Sequence, residues 1–89
     1  MVHVKKLVLD VLKPHQPNAL EFSQAIAAAG GEYRVRVMVL EVDEHTESLQ
    51  VVIEGDAIDF ETVQSCISNL GASLHSIDEV EVQGNGEAD

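Results

Sequence analysis

Val4-Lys5-Lys6-Leu7-Val8-Leu9-Asp10-Val11-Leu12, closed by Lys13-Pro14, is the stretch whose reading decides the fold. The run is too short for a buried helix and reads as a strand. Leu7, Leu9 and Val11 share one face, and Val8, Asp10 and Leu12 the other. Apolar residues on both faces place such a strand in the middle of a sheet. Pro14 closes it, because proline offers no N–H to a ladder and pushes Lys13 toward extended geometry. Asp10 interrupts the apolar pattern, and two readings of it stay open. It is either a carboxylate paired with a neighbouring cation on an open face, or part of a ligand or metal site.

Working outward, Asn18 followed by Glu21 has the spacing of a capping box and starts a helix that runs to about Ala29. Its inward stripe is either Leu20, Ser23, Ile26 and Ala27 or Phe22, Ile26 and Ala29. Gly30-Gly31 predicts a left-handed helix end. Glycine pairs also cradle phosphate, but only ahead of a helix, where N–H groups are free. Tyr33–Asp43 alternates Val35, Val37 and Val39 with Arg34, Arg36, Met38 and Leu40. Ser48–Gly55 alternates Leu49, Val51 and Ile53 with Gln50, Val52 and Glu54. Two alternating runs around the polar segment Glu44–Glu47 predict a hairpin. Asp59 caps a second helix over Phe60–Leu70, in which Phe60, Val63, Ile67 and Leu70 recur at helical spacing, and Gly71 stops it. Ser73–Val82 is a less regular last strand. Residues 1–82 then form one domain, and 83–89 are expected to be a disordered acidic tail.

The order β-α-β-β-α-β, with short right-handed connections, predicts an α+β, ferredoxin-like split βαβ fold. Its antiparallel sheet has the order 4-1-3-2, and both helices lie on one face. The uncovered face would carry Val8, Asp10, Leu12, Arg34, Arg36, Met38, Leu40, Gln50, Val52 and Glu54. That face is too apolar to be left to water across its whole width. The expected partner is therefore a second copy of the chain, met through the open sheet face or the edge strands.

The 89 residues carry 16 acidic and 5 basic side chains, for a net charge of −11. This balance excludes nucleic acid and anionic membrane surfaces as partners. An acid-rich, lysine-poor surface suits a saline cytoplasm, where screening weakens self-repulsion. With no Trp, one Tyr and two Phe, the core must be aliphatic. One cysteine, Cys66, excludes an internal disulfide framework and a two-cysteine metal clip, and a buried, inert thiol is its default role. Neither a signal peptide nor a membrane-spanning stretch is visible, so a cytoplasmic location is expected.

The topology also gathers one rim, where the first strand ends, the hairpin turns and the last strand begins. His15, Asp43, Glu44, His45, Glu47 and His75 belong to it. Asp78 and Glu79, further down the last strand, could meet Asp10 across the ladder. These residues are candidate ligands for a divalent cation, calcium or magnesium ahead of zinc. The alternative is a solvated polar rim, since the spacing follows no tight ligand motif.

The segments Leu7-Val8-Leu9-Asp10-Val11-Leu12-Lys13-Pro14-His15, Glu41-Val42-Asp43, Val52-Ile53-Glu54-Gly55, Ile58-Asp59 and His75-Ser76-Ile77-Asp78-Glu79-Val80 together resemble a family of small archaeal proteins, the domain of unknown function 211. The resemblance covers nearly all of the chain except the tail. It implies an archaeal source, a ferredoxin-like fold and ring-like or other homo-oligomers, and it is compatible with bound cations such as calcium. It implies no established activity. Glu32 and Arg36 stand where the family pattern suggests Val and Asn, and Ala72 follows Gly71 in place of a second glycine.

Two classes of function follow. One is a self-assembling binding or regulatory module that holds a divalent cation or a small molecule. The other is a small enzyme using Lys13 and His15 for acid–base work. Acylphosphatase shares the fold, but its phosphate-cradling loop is replaced here by Lys13-Pro14-His15-Gln16-Pro17, with two prolines in place of N–H donors. No Ser-His-Asp or Cys-His arrangement is present, so the expectation is that the chain is not an enzyme and has no fixed cofactor. A metal chaperone of this fold needs paired cysteines, and an RNA-recognition domain needs aromatics and basic charge.

Overall fold

The computed structural model describes residues 1–84 and 86. Its elements are β1 (Val2–Pro14), α1 (Ala19–Ala29), β2 (Arg34–Val42), β3 (Thr46–Glu54), α2 (Phe60–Asn69) and β4 (Ser73–Gly84). The sheet order is β2-β3-β1-β4, which is the expected 4-1-3-2 order. The fold is α+β and ferredoxin-like. β1 is central and antiparallel to both neighbours. Leu7, Leu9 and Val11 pack under the helices with Leu49, Val51 and Ile53 of β3, while Phe22, Ile26, Val63 and Ile67 come down from α1 and α2. Each such side chain contributes about 1.5–3 kcal/mol by leaving water.

Several boundaries differ from the sequence expectation. β1 starts two residues early because Val2 and His3 pair with Gly84 and Gln83 of an equally long β4. The last strand therefore includes Gln83 and Gly84, which the sequence assigned to the tail. Of the other tail residues, only Gly86 lies among the described ones. β1 also continues through Lys13 and Pro14, which oppose Glu47 and Thr46. Pro14 is tolerated as the last residue of its strand. The hairpin loop shrinks to Asp43-Glu44-His45, closed by a 2.7 Å bond from Asp43 N to Thr46 O. Glu47 is thus a strand residue and not a turn residue.

The helix ends divide in an instructive way. Asn18 forms the capping box with Glu21, and Asp59 accepts from the N–H groups of Glu61 and Thr62. Gly71 adopts the left-handed conformation, at φ 83°. Gly30 does not: its backbone is extended, at φ −108°. Its reason for being glycine is space, since a Cβ there would collide with the Tyr33 ring. The Tyr33 hydroxyl in turn accepts from Asp59 N at 2.8 Å, fastening β2 to the start of α2. In α1 the buried residues are Phe22 and Ile26, while Leu20 is exposed, which decides against the stripe built on Leu20.

Bulges set the irregularities. Leu40 is an extra residue in β2, so Glu41, and not Leu40, opposites Ser48. In β4 His75 and Asp78 are extra against β1, which is why Leu74, Ile77 and Val80 reach the helix-covered face at steps of three.

Candidate functional site

The rim contains one compact polar cluster, and β1 builds it. Lys13 continues the inward row of Leu7, Leu9 and Val11, so its side chain runs beneath the helix layer. It is 0% exposed. Its ammonium donates to Pro14 O at 2.9 Å and to Pro17 O at 2.6 Å. It also pairs with Glu47 Oε1 at 2.9 Å. An ammonium has three donors, and all three are used. Glu47 comes from the opposite position on β3 and keeps 17% of its side chain exposed. The Lys13 hydrogen bond, followed by that of His15, holds the Glu47 carboxyl below its ordinary range.

His15 closes the cluster from the β1–α1 loop. Its Nδ1 lies 3.1 Å from Glu47 Oε2 and its Nε2 2.9 Å from Glu44 O. An ionised carboxylate and a carbonyl can only accept, so satisfying both requires the doubly protonated imidazolium. In agreement, the Glu47 hydrogen bond first and the Glu44 carbonyl second raise the His15 pKa above its ordinary 6.5. The cluster ties the loop after β1 to the hairpin turn. Its Lys13 ammonium has no free donor to lend to acid–base chemistry.

The open face is organised in rows by the two registers. Arg34, Glu54, Lys6 and Glu81 stand in one row, read from β2 to β4. Arg36, Val52, Val8 and Glu79 form the next, and Met38, Gln50, Asp10 and Ser76 the third. Lys6 reaches diagonally to Glu79 at 3.3 Å. Val8 is buried within this grid although no helix covers it. The rows make the β2 border basic and the β4 border acidic. Large apolar side chains also stand exposed on both border strands: Met38, Val39, Leu40 and Val42 on β2, and Ile77, Val80 and Val82 on β4.

With this geometry in view, comparison with known proteins gives a consistent result. The model of DUF211, described as "Uncharacterized ArCR", matches residues 5–86. The chain belongs to this archaeal family. The uncharacterized protein MJ0319 of Methanocaldococcus jannaschii is 39% identical over 77 residues, spanning 86% of this chain and 79% of that protein.

In this DUF211 chain the residues singled out as cation ligands take separate places. His15 and Glu47 meet, but their polar atoms are committed to each other, Lys13 and Glu44. His45 and Glu44 approach to only 3.9 Å at the exposed hairpin tip, beside Asp43. Asp10 lies mid-sheet opposite Gln50 and Ser76. Ser76 Oγ donates to Asp78 Oδ1 at 2.7 Å, Glu79 pairs with Lys6, and His75 sits on its bulge. Among the described residues no three His, Cys, Asp or Glu side chains gather around a point that could hold a metal ion. Cys66 is half-buried and donates to Ala25 O at 3.6 Å, and burial pushes its thiol pKa up. A concavity of about 540 Å³ lies between α1 and α2, lined by Asp59, Ser65, Cys66 and Asn69 among others. No helix among the described residues is long and apolar enough to cross a membrane.

The sequence reading missed the burial of Lys13 and the charged rows formed with β4. For Lys13 a signal existed: the alternation Leu7, Leu9, Val11 extends to position 13. For β4 the signal was the three-residue spacing of Leu74, Ile77 and Val80.

Proposed function

We propose that this chain is a homo-oligomeric binding or regulatory module whose copies assemble through the sheet. The observation that carries this reading is the pair of border strands, each long and each showing large apolar side chains to solvent. Unpaired borders of this length are templates for another strand unless unmatched charge, proline or a covering element blunts them, and the charges of these two borders are opposite in sign. Here β2 has nine residues without a proline, and β4 has twelve. A chain of this size also gains stability from association that its own small core cannot supply. Domains of this architecture often hold small metabolites where subunits meet, and that analogy supports the binding role. The acidic, lysine-poor surface fits a saline interior in which such copies are screened from each other. Sedimentation velocity at micromolar concentration tests the assembly: a defined multiple of the 9.6 kDa chain is expected, and a clean monomer overturns it.

A further inference from the structure

Building on the assembly just proposed, we infer that β2 of one copy pairs antiparallel with β4 of the next. Arg34 then stands opposite the partner's Glu81, and Arg36 opposite the partner's Glu79.

The two registers carry this. β2 and β4 run antiparallel to one another within one sheet, because each step across β3 and β1 reverses direction. A second copy in the same orientation therefore presents β4 to β2 antiparallel, and the sheet continues without a turn-over. With no offset along the strands, each row of one copy runs into the same row of the next. The first row reads Arg34, Glu54, Lys6, Glu81, alternating in sign, and the next copy's Arg34 continues the alternation. In the second row Arg36 meets the partner's Glu79. On the helix-covered face the same placement sets Val35 against Val80 and Val37 against Ile77, apolar against apolar. Ile77 and Val80 are among the large side chains the single copy leaves exposed.

A slip of one residue moves every side chain to the wrong face, and a slip of two leaves one arginine facing Gln83 or Ser76, so only the unshifted register sets both arginines against glutamates. Opposite charges facing across neighbouring strands favour a pair, and like charges disfavour it. The charge distribution agrees. Of the five basic residues, Lys13 is buried with Glu47, leaving Lys5, Lys6 and the two arginines on a chain of −11. Among the described residues neither arginine has a carboxylate within ion-pair reach in its own copy. The contact joins two different surfaces, so repetition yields a ring where the rotation closes and an open array where it does not.

Charge reversal with complementation tests the pairing. One variant carries Arg34→Glu and Arg36→Glu, the other Glu79→Arg and Glu81→Arg. Each alone should sediment as the monomer, since its two borders carry like charge. An equimolar mixture should recover assembly, because the acidic β2 of one fits the basic β4 of the other. Circular dichroism and melting confirm that each variant is folded. Glu79→Arg also removes the ion pair to Lys6, so the milder pair Arg34→Glu and Glu81→Arg provides the cleaner complementation if the doubles melt early. If the native chain assembles and both reversals assemble equally well, the pairing is wrong while the assembly stands. Reversals that monomerise but do not complement also overturn the pairing, since the charges then act on some other surface. A monomeric native chain overturns both.

Discussion

Two groups of charged residues share the sheet and behave in opposite ways. At the rim, the Lys13 ammonium is sealed from water and every one of its donors has an acceptor within the same copy. On the open face, Arg34 and Arg36 occupy one border and Glu79 and Glu81 the other, at matching heights but on opposite edges of the four-stranded sheet. The first group is complete, and its effect is confined to holding the β1–α1 loop against the hairpin. The second is complementary without being able to close on itself. Charge on a small acidic domain therefore carries meaning only with its register: the same residue types fasten the chain internally in one place and, in the pairing proposed above, address another copy in the other.

The comparison is broken most severely at the rim. Glu47→Ala leaves an ammonium buried without its counter-charge and should cost about 3 kcal/mol in urea unfolding. Lys13→Met should cost less, about 2 kcal/mol, because the carboxylate left behind still reaches water through its exposed fraction. Equal losses would mean that the pair is not asymmetrically buried.

A smaller effect separates His15 from Lys13. The folded state raises the His15 pKa above 6.5, so its stabilisation is full below that value and fades as pH rises through the raised one. Glu47 is depressed below its ordinary 4.5, so its stabilisation is present above 4.5 and fades as pH falls through the lowered value. The advantage of the native chain over His15→Gln should therefore be largest between pH 4.5 and 6.5 and shrink as pH rises through the raised His15 value. Unfolding midpoints at two pH values measure it, and a difference that ignores pH would exclude an imidazolium at this position.

The smallest change is expected on the open face. Arg34→Glu with Arg36→Glu should cost the isolated copy no more than about 1 kcal/mol, from the like charge set opposite Glu54, even where it abolishes assembly. A larger loss, measured by unfolding at dilutions where the native chain is monomeric, would show that these arginines do structural work within one copy.

The fold was readable because its signals are local. The two-faced apolar run Val4–Leu12 placed β1 at the centre, and the capping residues Asn18 and Asp59 fixed both helix starts. The left-handed end expected at Gly30-Gly31 does not form, because sequence does not reveal that the Tyr33 ring lies over Gly30. The rim was harder. A lysine just before a proline looks like solvent-facing loop, and its burial follows from a three-residue hairpin loop that sets Glu47 opposite it. The open-face rows were half legible. β2 and β3 alternate plainly, but the extra residues His75 and Asp78 break the parity of β4 and hid Glu79 and Glu81 from the count.

The ring of Tyr33 packed over Gly30, with its hydroxyl on Asp59, the N-cap of α2, has a practical consequence. As the chain has one tyrosine and no tryptophan, its intrinsic ultraviolet emission originates at a single, firmly seated chromophore. That chromophore directly precedes Arg34, at the head of a border strand. The molecule thus contains an unlabelled optical reporter beside the surface on which copies would meet.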